Sequence, residues 1–443
     1  MLKVSRRRWF DETLWLLLDG YEFIAKRCER YRSNVFDTRL IFFRVTCMRG
    51  EEAARLFYDT TLFKRKGAMP RRVRKTLVGE HGVQGLDNEA HRGHKQMLMS
   101  LMTPEHIRQL AEILADQWRA YVLKWTQQDK VNLFDELNEI LCRAVCAWAS
   151  VPIQESEVKS RTQDFMAIID GAGAVGLRHW RGRLARKRLN AWLAGVIDDV
   201  RDGESSVPHG SAAEVIAWHR EPDGKLLDRQ VAADELNNMI RPTVALSRYM
   251  VFEAHALHEH PQYREKLQQG TDEDYTHFIQ EVRRFYPFFP AVTAIVKQEF
   301  EWKGHRFPKG RWVLLDLYGT GRDPQSWHQP DRFWPERFRD WSGSAFNFIP
   351  QGGGNHFEHH RCAGEWITIV LMKTALRLLT QEMDYDVPPQ DLRINLSRIP
   401  AIPHSRFVIG NVRLRPAEPA GTTRRTVQAE TATRPSRATE SLH

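Results

Sequence analysis

The segment from Gln351 to Glu365 places one cysteine between a basic, glycine-rich loop and an apolar run. It reads QGGGNHFEHHRCAGE and is followed at once by WITIVLM. N–H groups at a helix N-terminus and nearby cations lower the pKa of a cysteine, and the thiolate is the form that binds a metal. Glycines let the backbone pass close to a flat or bulky group. The pattern therefore predicts that Cys362 presents a thiolate to a metal.

The loop alone is compatible with more than one role for this cysteine. The spacing His356-x-x-His359-x-x-Cys362 is similar to that of a zinc site, although no second Cys/His pair with metal-ligand spacing occurs elsewhere in the chain. A haem iron needs only one axial thiolate, which favours cleavage of an O–O bond. A lone cysteine can also be an inert, buried side chain. We interpret Cys362 as a haem ligand, and the rest of the chain decides between these roles.

Composition and charge limit the class of protein. The chain has 443 residues, 42% hydrophobic and 27% charged, which is enough for a large folded core. Its five cysteines form no paired framework, which indicates a reducing compartment. The net charge of +9 comes without a nucleic-acid-binding motif, so we expect no nucleic-acid partner.

The N-terminus does not read as a targeting segment. Basic residues precede a short apolar run, but Asp11 and Glu12 interrupt it and it is too short for the core of a signal peptide. No segment approaches the roughly 20 apolar residues that span a bilayer. We therefore expect a cytoplasmic protein with no membrane span.

Helical periodicity dominates the chain, with one β-rich stretch. Apolar positions at helical spacing cover 91–125, 133–148, 180–200 and 275–286, and residues 228–258 predict one long helix interrupted only by Pro242. Residues 291–317 alternate, are rich in β-branched and aromatic residues, and predict a small antiparallel sheet. A last helix is expected over about 364–382. Residues 417–443 are polar and predict a disordered tail, which leaves residues 1–416 as one domain.

Three motifs occur in a fixed order before and at the cysteine loop. Glu281-x-x-Arg284 lies on a helix that stops at a proline-rich turn, PERF spans Pro335–Phe338, and RCAG contains Cys362. In this order the chain resembles the cytochrome P-450 superfamily. The resemblance implies a mainly α fold with a minor antiparallel β-sheet region, the cytochrome P-450 fold. It also implies haem b as cofactor, with Glu281, Arg284 and Arg337 fixing the core behind it.

Two basic positions precede these motifs. His91 and Lys95 are four residues apart in AHRGHK, so a helix would place them on one face. Such a pair can bind haem propionates by charge-assisted hydrogen bonds, or it can be a solvated basic face. The resemblance favours the first role and adds His360, two residues before Cys362.

The central helix departs from most of the superfamily. Its stretch MIRPTVALSRYM has no acid beside Thr243 or Ser247, and it carries Arg241-Pro242 instead. Proline kinks a helix, and a buried arginine without a partner implies an anionic ligand. Together with RRFYPFFP, VQGLDNEAH and IPQGGG, this motif resembles the fatty-acid peroxygenase branch.

This branch hydroxylates long-chain fatty acids at the α or β carbon with hydrogen peroxide. The resemblance implies that Arg241 binds the substrate carboxylate, which then acts as general acid and base, and that no redox partner is obligatory. By the same resemblance Gln84 faces the distal pocket, where glutamine accompanies hydroxylation and histidine accompanies decarboxylation. The predicted substrate pocket consists of Val78, Phe288, Phe289 and Val292.

Two other activities remain as alternatives. One is a fatty-acid decarboxylase that gives terminal alkenes. The other is a monooxygenase that uses O2, NAD(P)H and a redox partner; the missing acid–alcohol pair argues against it. A non-catalytic haem-thiolate sensor or fatty-acid carrier would share Cys362 and Arg241, but no output module is visible in the sequence.

Overall fold

The computed structural model describes residues 11–80 and 82–415. The predicted polar tail at 417–443 lies outside these residues, so the division of the chain at residue 416 stays a prediction. Across the described ranges, no helix combines the length and apolarity that crossing a bilayer requires.

Sixteen α-helices account for most of the described chain, which confirms the prediction of a mainly α protein. In chain order they are α1 Thr13–Asp19, α2 Phe23–Tyr31, α3 Glu51–Phe57, α4 Arg71–Leu77, α5 Asn88–Ser100, α6 Pro104–Trp125, α7 Leu133–Ala149, α8 Glu155–Ala172, α9 Leu177–Arg201, α10 Ala212–Ala217, α11 Arg229–Val244, α12 Ser247–Glu259, α13 Gln262–Gln268, α14 Asp272–Phe285, α15 Leu317–Thr320 and α16 Glu365–Arg377.

The β-structure is small and mostly antiparallel, as predicted. The strands are β1 Val35–Leu40, β2 Phe43–Met48, β3 Phe63–Lys64, β4 Lys130–Asn132, β5 Ala291–Val296, β6 Phe300–Trp302, β7 His305–Phe307, β8 Trp312–Asp316, β9 Met383–Asp386 and β10 Val408–Leu414. They form a five-stranded sheet in the order β1-β2-β8-β5-β3, a three-stranded sheet β4-β10-β9 and the hairpin β6–β7. Only the β2–β8 pair is parallel among these strands. The predicted sheet at 291–317 thus contributes to two separate sheets.

The prediction of one helix over residues 228–258 is wrong, because this segment forms two helices. The α11 helix ends at Val244 and α12 begins at Ser247, two and five residues after Pro242. Proline removes the N–H that would bond to the residue four positions earlier. The turn between the helices then tightens, with the N–H of Leu246 donating to the carbonyl of Thr243 at 3.1 Å. The break therefore follows the proline by one turn and leaves Arg241 in the last turn of α11.

The helical stretch predicted over 91–125 also divides in two. Thr103 caps α6 by accepting a hydrogen bond from the N–H of His106, and Pro104 takes the first helical position. Proline is favoured there because its missing N–H has no partner in any helix. The break separates α5, which carries His91 and Lys95, from the long core helix α6.

A buried ion-pair network fixes the segment before the cysteine loop. Arg284 on α14 donates to both carboxylate oxygens of Glu281 at 2.7 Å. Arg337, in the 3₁₀ turn that PERF forms, adds a contact of 3.1 Å to the same carboxylate. The side chains of Glu281 and Arg284 are fully buried. Backbone carbonyls satisfy the remaining guanidinium donors, for example the carbonyl of Gly321 at 2.8 Å.

Removing the carboxylate of Glu281 tests how much this network stabilises the fold. We expect Glu281→Gln to lower the free energy of unfolding by roughly 3–5 kcal/mol, because it leaves two buried guanidinium groups without a counter-charge. Urea titration followed by circular dichroism measures the loss. The matched control is Glu273→Gln on the same helix, where the side chain is 71% exposed, and its effect should stay within about 0.5 kcal/mol. Equal losses in the two variants would contradict the assigned role.

Candidate active site

The cysteine loop depends on glycines at three consecutive positions. Gly352 and Gly354 have φ values of 92° and 80°, in the region that side-chain-bearing residues avoid. A Cβ on Gly353 would lie 2.6 Å from the carbonyl oxygen of Ala345. The loop therefore folds tightly back on itself and delivers Cys362 three residues before α16 begins.

Gln351 connects the cysteine to the surrounding helices. Its backbone carbonyl accepts a hydrogen bond from the N–H of Cys362 at 3.0 Å. Its side-chain Nε2 lies 3.7 Å from the Cys362 Sγ and donates to Thr368 at 2.9 Å. Its Oε1 accepts from Arg283 of α14 at 3.0 Å. One amide side chain thus positions the sulfur and links it to α14 and α16.

The protonation of Cys362 differs from the expectation drawn from the sequence. Burial raises the pKa of the thiol, and the neighbouring carboxylate of Glu365 raises it further. Lys95, the N–H of Gly364 and Arg283 act in the opposite direction but do not outweigh burial. The prediction that the pKa of Cys362 is lowered is therefore wrong for the polypeptide without a bound metal. The sequence shows the nearby cations, but it does not show how completely the sulfur is removed from water. A bound metal cation would supply the missing positive charge.

The histidines of the loop do not converge on Cys362 as a zinc site requires. The ring of His356 stacks on Trp366 with centroids 4.3 Å apart, and His359 stacks on Tyr58 at 6.0 Å. Over the ranges 11–80 and 82–415, no group of three His, Cys, Asp or Glu side chains has an arrangement that could hold a metal ion. The geometry therefore argues against the zinc interpretation.

A cluster of nitrogen donors lies beside the loop. His91 and Lys95 on α5 are buried, at 5% and 3% exposure, so they do not form a solvated basic face. The ring of His91 stacks on His360 with centroids 3.9 Å apart. The ammonium of Lys95 donates to the carbonyl of Arg361. The structure thus brings α5 against a loop segment that is distant in sequence, since Lys95 and Arg361 are 266 residues apart.

Burial controls the charge of this cluster. It lowers the pKa of His91 to about 4, with Lys95 contributing, and it lowers the pKa of His360 well below the ordinary value. The pKa of Lys95 falls to about 8, again chiefly through burial. At neutral pH the cluster therefore combines neutral imidazole donors with an ammonium group.

Arg65 is a member of this cluster that the sequence did not indicate. Burial lowers its pKa to about 10, and its charge in turn lowers the pKa of His91 and of His360. Its Nη1 is buried and has no hydrogen-bond partner among the residues that the structure describes. It stands in the ordinary basic run KRK, and only the unsatisfied donor distinguishes it from its neighbours.

Among residues 11–80 and 82–415, no carboxylate pairs with the buried Arg241. It is 7% exposed, and its hydrogen bond runs from Nη2 to the side-chain oxygen of Asn238 at 3.1 Å, whereas Nε has no partner. Burial lowers its pKa to about 9, Arg186 lowers it further, and Cys362 opposes this. Arg241 and Cys362 are therefore close enough to interact electrostatically. A guanidinium in this state is stabilised by an added anion.

Asn238 connects Arg241 to the loop that carries Gln84. Its Nδ2 donates to the carbonyl of Val78 at 3.1 Å and lies 3.4 Å from the Oε1 of Gln84. Gln84 is half-buried, and its Nε2 makes no hydrogen bond within the described part of the chain. The structure thus groups Arg241, Gln84 and Val78 through one amide.

A buried carboxylate–imidazole–carboxylate chain supports this group. Glu235 is fully buried; it accepts from the N–H of Val83 at 2.8 Å and from Asn238 at 3.2 Å, and it lies 2.7 Å from the Nδ1 of His94. The Nε2 of His94 lies 3.1 Å from Glu221, which reaches the surface. These contacts fix the Gln84 loop and α5 against α11, and they hold the side chain of Asn238 in place.

The remaining predicted pocket residues, Phe288, Phe289 and Val292, lie on later segments of the chain. The ring of Phe288 stacks on Tyr249 of α12 with centroids 4.1 Å apart. Phe288 and Phe289 line one cleft together with Tyr249 and Pro350. Val292 lies on β5 opposite Leu315 of β8 and packs against the smaller core under that sheet.

Comparison with known proteins agrees with this arrangement. A model of the cytochrome P450 family matches residues 275–403, which include the Glu281 network and Cys362. The structure of cytochrome P450SP alpha (CYP152B1) is 50% identical in sequence, with a TM-score of 0.90 over 92% of this chain and 100% of that chain. The chain belongs to the cytochrome P450 family.

Two further structures narrow the position of this P450 within the family. Cytochrome P450EX alpha (CYP152N1), solved with myristic acid, is 41% identical, with a TM-score of 0.89 over 92% of this chain and 98% of that chain. Cytochrome P450 OleT, solved with arachidonic acid, is 33% identical, with a TM-score of 0.91 over 94% of this chain and 100% of that chain. The predicted cytochrome P-450 fold and the predicted branch are both confirmed.

The side chains of this P450 suit the haem iron that the family implies. Cys362 presents one sulfur, and Arg65, His91, Lys95 and His360 form a cluster of nitrogen donors that suits anionic groups. The unsatisfied Nη1 of Arg65 is the observation that favours an anionic group at that place.

The Glu221–His94–Glu235 chain predicts a pH-dependent contribution to stability. Burial lowers the pKa of His94, but the hydrogen bonds and charges of Glu235 and Glu221 outweigh it and leave the pKa raised. A raised pKa means that the stabilisation is complete below the ordinary value of about 6.5 and is lost as the pH rises through the raised value. We expect His94→Gln to lower the melting temperature more in mildly acidic than in alkaline buffer.

The control for this pH series is His209→Gln. His209 also pairs with a glutamate, but its side chain is 98% exposed, so its replacement should not change the melting temperature at any pH. If His94→Gln lowered the melting temperature by the same amount at every pH, the protonated imidazole would not be the stabilising form.

Proposed function

We propose that the protein is a haem-thiolate peroxygenase that uses hydrogen peroxide to hydroxylate long-chain fatty acids at the α or β carbon. Membership of the P450 family and the CYP152 relatives support this activity. Two of those relatives were solved with fatty acids. We also propose a cytoplasmic location, which rests on the absence of disulfides among the five cysteines.

The buried guanidinium of Arg241 is the observation that carries the proposal. A cation held out of water without a counter-ion is costly, and a substrate carboxylate would supply that counter-ion. Charge-assisted hydrogen bonds of this kind contribute roughly 1.5–3 kcal/mol. Since Cys362 affects the pKa of Arg241, the anchored carboxylate would lie near the metal.

We propose haem b as the cofactor. Cys362 would hold the iron, and Arg65, His91, Lys95 and His360 would bind the two propionates. When bound, the haem supplies the iron at which the O–O bond of peroxide is cleaved, and a thiolate ligand favours that cleavage.

Among the described residues, we find no proton donor beside Arg241 that is free to take part. The hydroxyl of Thr243 donates to the carbonyl of Met239 at 3.0 Å, and Glu235 is engaged by Val83, His94 and Asn238. The substrate carboxylate on Arg241 would therefore move the proton from one peroxide oxygen to the other, as general base and then as general acid. Because peroxide brings both oxygen atoms and both oxidising equivalents, no redox partner is needed.

Anchoring the carboxylate also determines which carbon reacts. With the headgroup on Arg241, the C–H bonds beside it are the nearest to the metal, and we propose attack at the α or β carbon for this reason. Pro242 contributes by placing Arg241 in the last turn before the helix break. Val78, Phe288, Phe289 and Val292 would line the remainder of the pocket.

Gln84 would favour hydroxylation over loss of carbon dioxide. Its Oε1 already accepts from Asn238, so its amide N–H groups are the donors that it can offer to the substrate. An amide does not titrate near neutral pH. It can orient a carboxylate, but it cannot exchange a proton with it as a histidine can.

Replacing the anchoring residue tests the central claim. We expect Arg241→Ala to lower peroxide-driven turnover of a long-chain fatty acid by roughly 10²- to 10⁴-fold, the usual contribution of general acid–base catalysis. In the wild-type enzyme, added acetate should support turnover of a substrate that lacks a carboxylate, because acetate bound to Arg241 replaces the missing proton carrier. Product formation is followed by mass spectrometry.

The matched control is Thr243→Val, two residues along the same helix. Its hydroxyl already bonds within the helix, so the variant should keep its peroxide-driven turnover. Absorbance of the haem must be equal in both variants. Undiminished turnover by Arg241→Ala would refute the anchoring role, and loss in Thr243→Val would indicate a protein-based proton relay instead.

The oxidant and the product distribution give a second test. Wild-type enzyme with peroxide should yield α- and β-hydroxy acids as the majority products and terminal alkene as the minority. Gln84→His should raise the alkene fraction, because imidazole can exchange a proton with the carboxylate. Turnover that requires NAD(P)H with a surrogate redox chain, or a majority of alkene from wild type, would favour one of the two alternative activities.

A further inference from the structure

Trp366 is an exposed indole next to the cysteine loop. Among the residues that the structure describes, the exposed tryptophans are Trp15, Trp180, Trp218 and Trp366. Trp366 follows Cys362 by four residues and lies in the first turn of α16, which begins at Glu365. It is 37% exposed. Trp366 therefore lies both at the surface and beside the segment that carries the sulfur, and the proposed reaction with fatty acids does not use it.

The indole is stacked on a histidine of the cysteine loop. The rings of His356 and Trp366 are nearly parallel, at 7° to one another, and their centroids are 4.3 Å apart. Such a stack brings the faces of the two π systems into contact. The side chain of His356 is 10% exposed. His356 is therefore the inner member of the stack and Trp366 the outer one.

His356 in turn contacts the backbone next to the sulfur. Its Nε2 donates to the carbonyl of Ala363 at 3.4 Å, and Ala363 follows Cys362 directly in the chain. The sulfur, the backbone, the imidazole and the indole are thus joined by covalent bonds, one hydrogen bond and one ring stack. This sequence of contacts is a short path for an electron between Cys362 and the surface, and solvent does not interrupt it.

Burial keeps the imidazole of this path uncharged near neutral pH. It lowers the pKa of His356, and Lys95 and Arg361 act in the same direction, whereas the carboxylate of Glu365 opposes them. A positive charge against its ring face would make an indole harder to oxidise. The neutral imidazole therefore leaves the indole of Trp366 easy to oxidise.

A second exposed aromatic side chain lies beside the indole. Phe357 is 59% exposed, and its ring meets that of Trp366 at an angle of 64° with centroids 5.8 Å apart. Aromatic rings pack on one another face to face or edge to face. Phe357 and Trp366 therefore offer a flat aromatic molecule in solvent a place to pack, separate from the buried site at Arg241.

The ring chemistry of this path singles out its outer end. An indole loses an electron more easily than an imidazole, a phenyl ring or a peptide group does. Phenols lose an electron easily as well, so a phenol in contact with an oxidised indole can reduce it. Hydrogen peroxide accepts two electrons, and without a fatty acid on Arg241 the proposed site holds no C–H bond to supply them.

We propose that Trp366 is a surface site of one-electron oxidation, where the protein with its haem uses hydrogen peroxide to oxidise phenols that are too large for the buried pocket. Electrons leave Trp366 one at a time along the His356 path, and a phenol in contact with the indole replaces each of them. Each phenol loses one electron and the proton of its O–H bond. The O–O bond of peroxide breaks and its oxygens take up two electrons and two protons.

The balance leaves the protein unchanged. Two phenols and one hydrogen peroxide give two phenoxyl radicals and two water molecules, and Trp366 returns to its starting state. The inference rests on the proposed reaction of peroxide at a metal held by Cys362, but it does not need the fatty-acid site at Arg241.

Two substitutions of the same residue separate electron transfer from ring packing. Trp366→Phe keeps a ring that can stack but resists oxidation, whereas Trp366→Tyr keeps a ring that can stack and be oxidised. The probe is phenol coupled to dextran, because the polymer cannot enter a buried cavity. With peroxide, the holoenzyme of Trp366→Phe should oxidise the probe at least about tenfold more slowly than wild type, which corresponds to about 1.4 kcal/mol of activation free energy. Trp366→Tyr should keep most of the rate, measured by the fluorescence of the coupled phenols.

Electron paramagnetic resonance identifies the oxidised residue independently of turnover. Wild-type holoenzyme frozen rapidly after mixing with peroxide, without fatty acid, should show an indole radical. The radical should be absent from Trp366→Phe and replaced by a tyrosyl radical in Trp366→Tyr. The matched control is Trp218→Phe, which removes a 47% exposed indole with no ring stack on the cysteine loop, and it should behave as wild type does in both experiments.

Equal rates of probe oxidation by wild type and Trp366→Phe would overturn the inference. Equal losses in the Phe and Tyr variants would also overturn it, because the indole would then only support the loop. At equal haem absorbance, every variant should hydroxylate a long-chain fatty acid as wild type does. A wild type that hydroxylates the fatty acid but leaves the probe unchanged refutes this inference alone, and one that oxidises only the probe refutes the proposed hydroxylation alone.

Discussion

A guanidinium held out of water without a counter-ion is the constraint on which the site depends. Burying the charge of Arg241 is unfavourable, and one amide oxygen of Asn238 compensates little of the cost. The surrounding polar chain of Glu235, His94 and Glu221 does not neutralise this cation; it fixes the amide that touches it. The protein thus keeps a site whose electrostatic energy improves when an anion enters.

The sulfur of Cys362 has the complementary problem. Burial disfavours a thiolate at Cys362, and Lys95 and Arg283 offset this only in part. The two groups therefore each lack a charge that a ligand would bring: a metal cation for the sulfur and a carboxylate for the guanidinium. Filling either place makes the other charge easier to bury, because opposite charges attract strongly where water is excluded.

The parts of this arrangement that follow local sequence rules were predictable. The Glu281 and Arg284 pair is three residues apart on one helix, the glycine loop precedes Cys362 directly, and Pro242 must disturb its helix. These features, with their order along the chain, were enough for the fold and the family. The helix break was misplaced because proline removes a hydrogen bond but does not determine which later residue ends the helix.

Contacts between distant segments could not be read from the sequence. His94 and Glu235 are 141 residues apart, and nothing local distinguishes either from an ordinary surface residue. Arg65 likewise needed coordinates, since only its buried, unsatisfied nitrogen separates it from neighbouring cations. The pKa of Cys362 was misjudged for the same reason, because desolvation depends on what packs around a residue.

The side chain of Gln351 ties the sulfur to a helix that takes no part in the chemistry. Its nitrogen points at the sulfur while its oxygen is held by Arg283, and Arg283 also binds Glu365 at 2.5 Å. A rotation or shift of α14 therefore changes how much electron density that sulfur can donate. Since hydrogen bonds to a ligand sulfur tune the metal that it holds, α14 would influence an iron at Cys362 through Gln351.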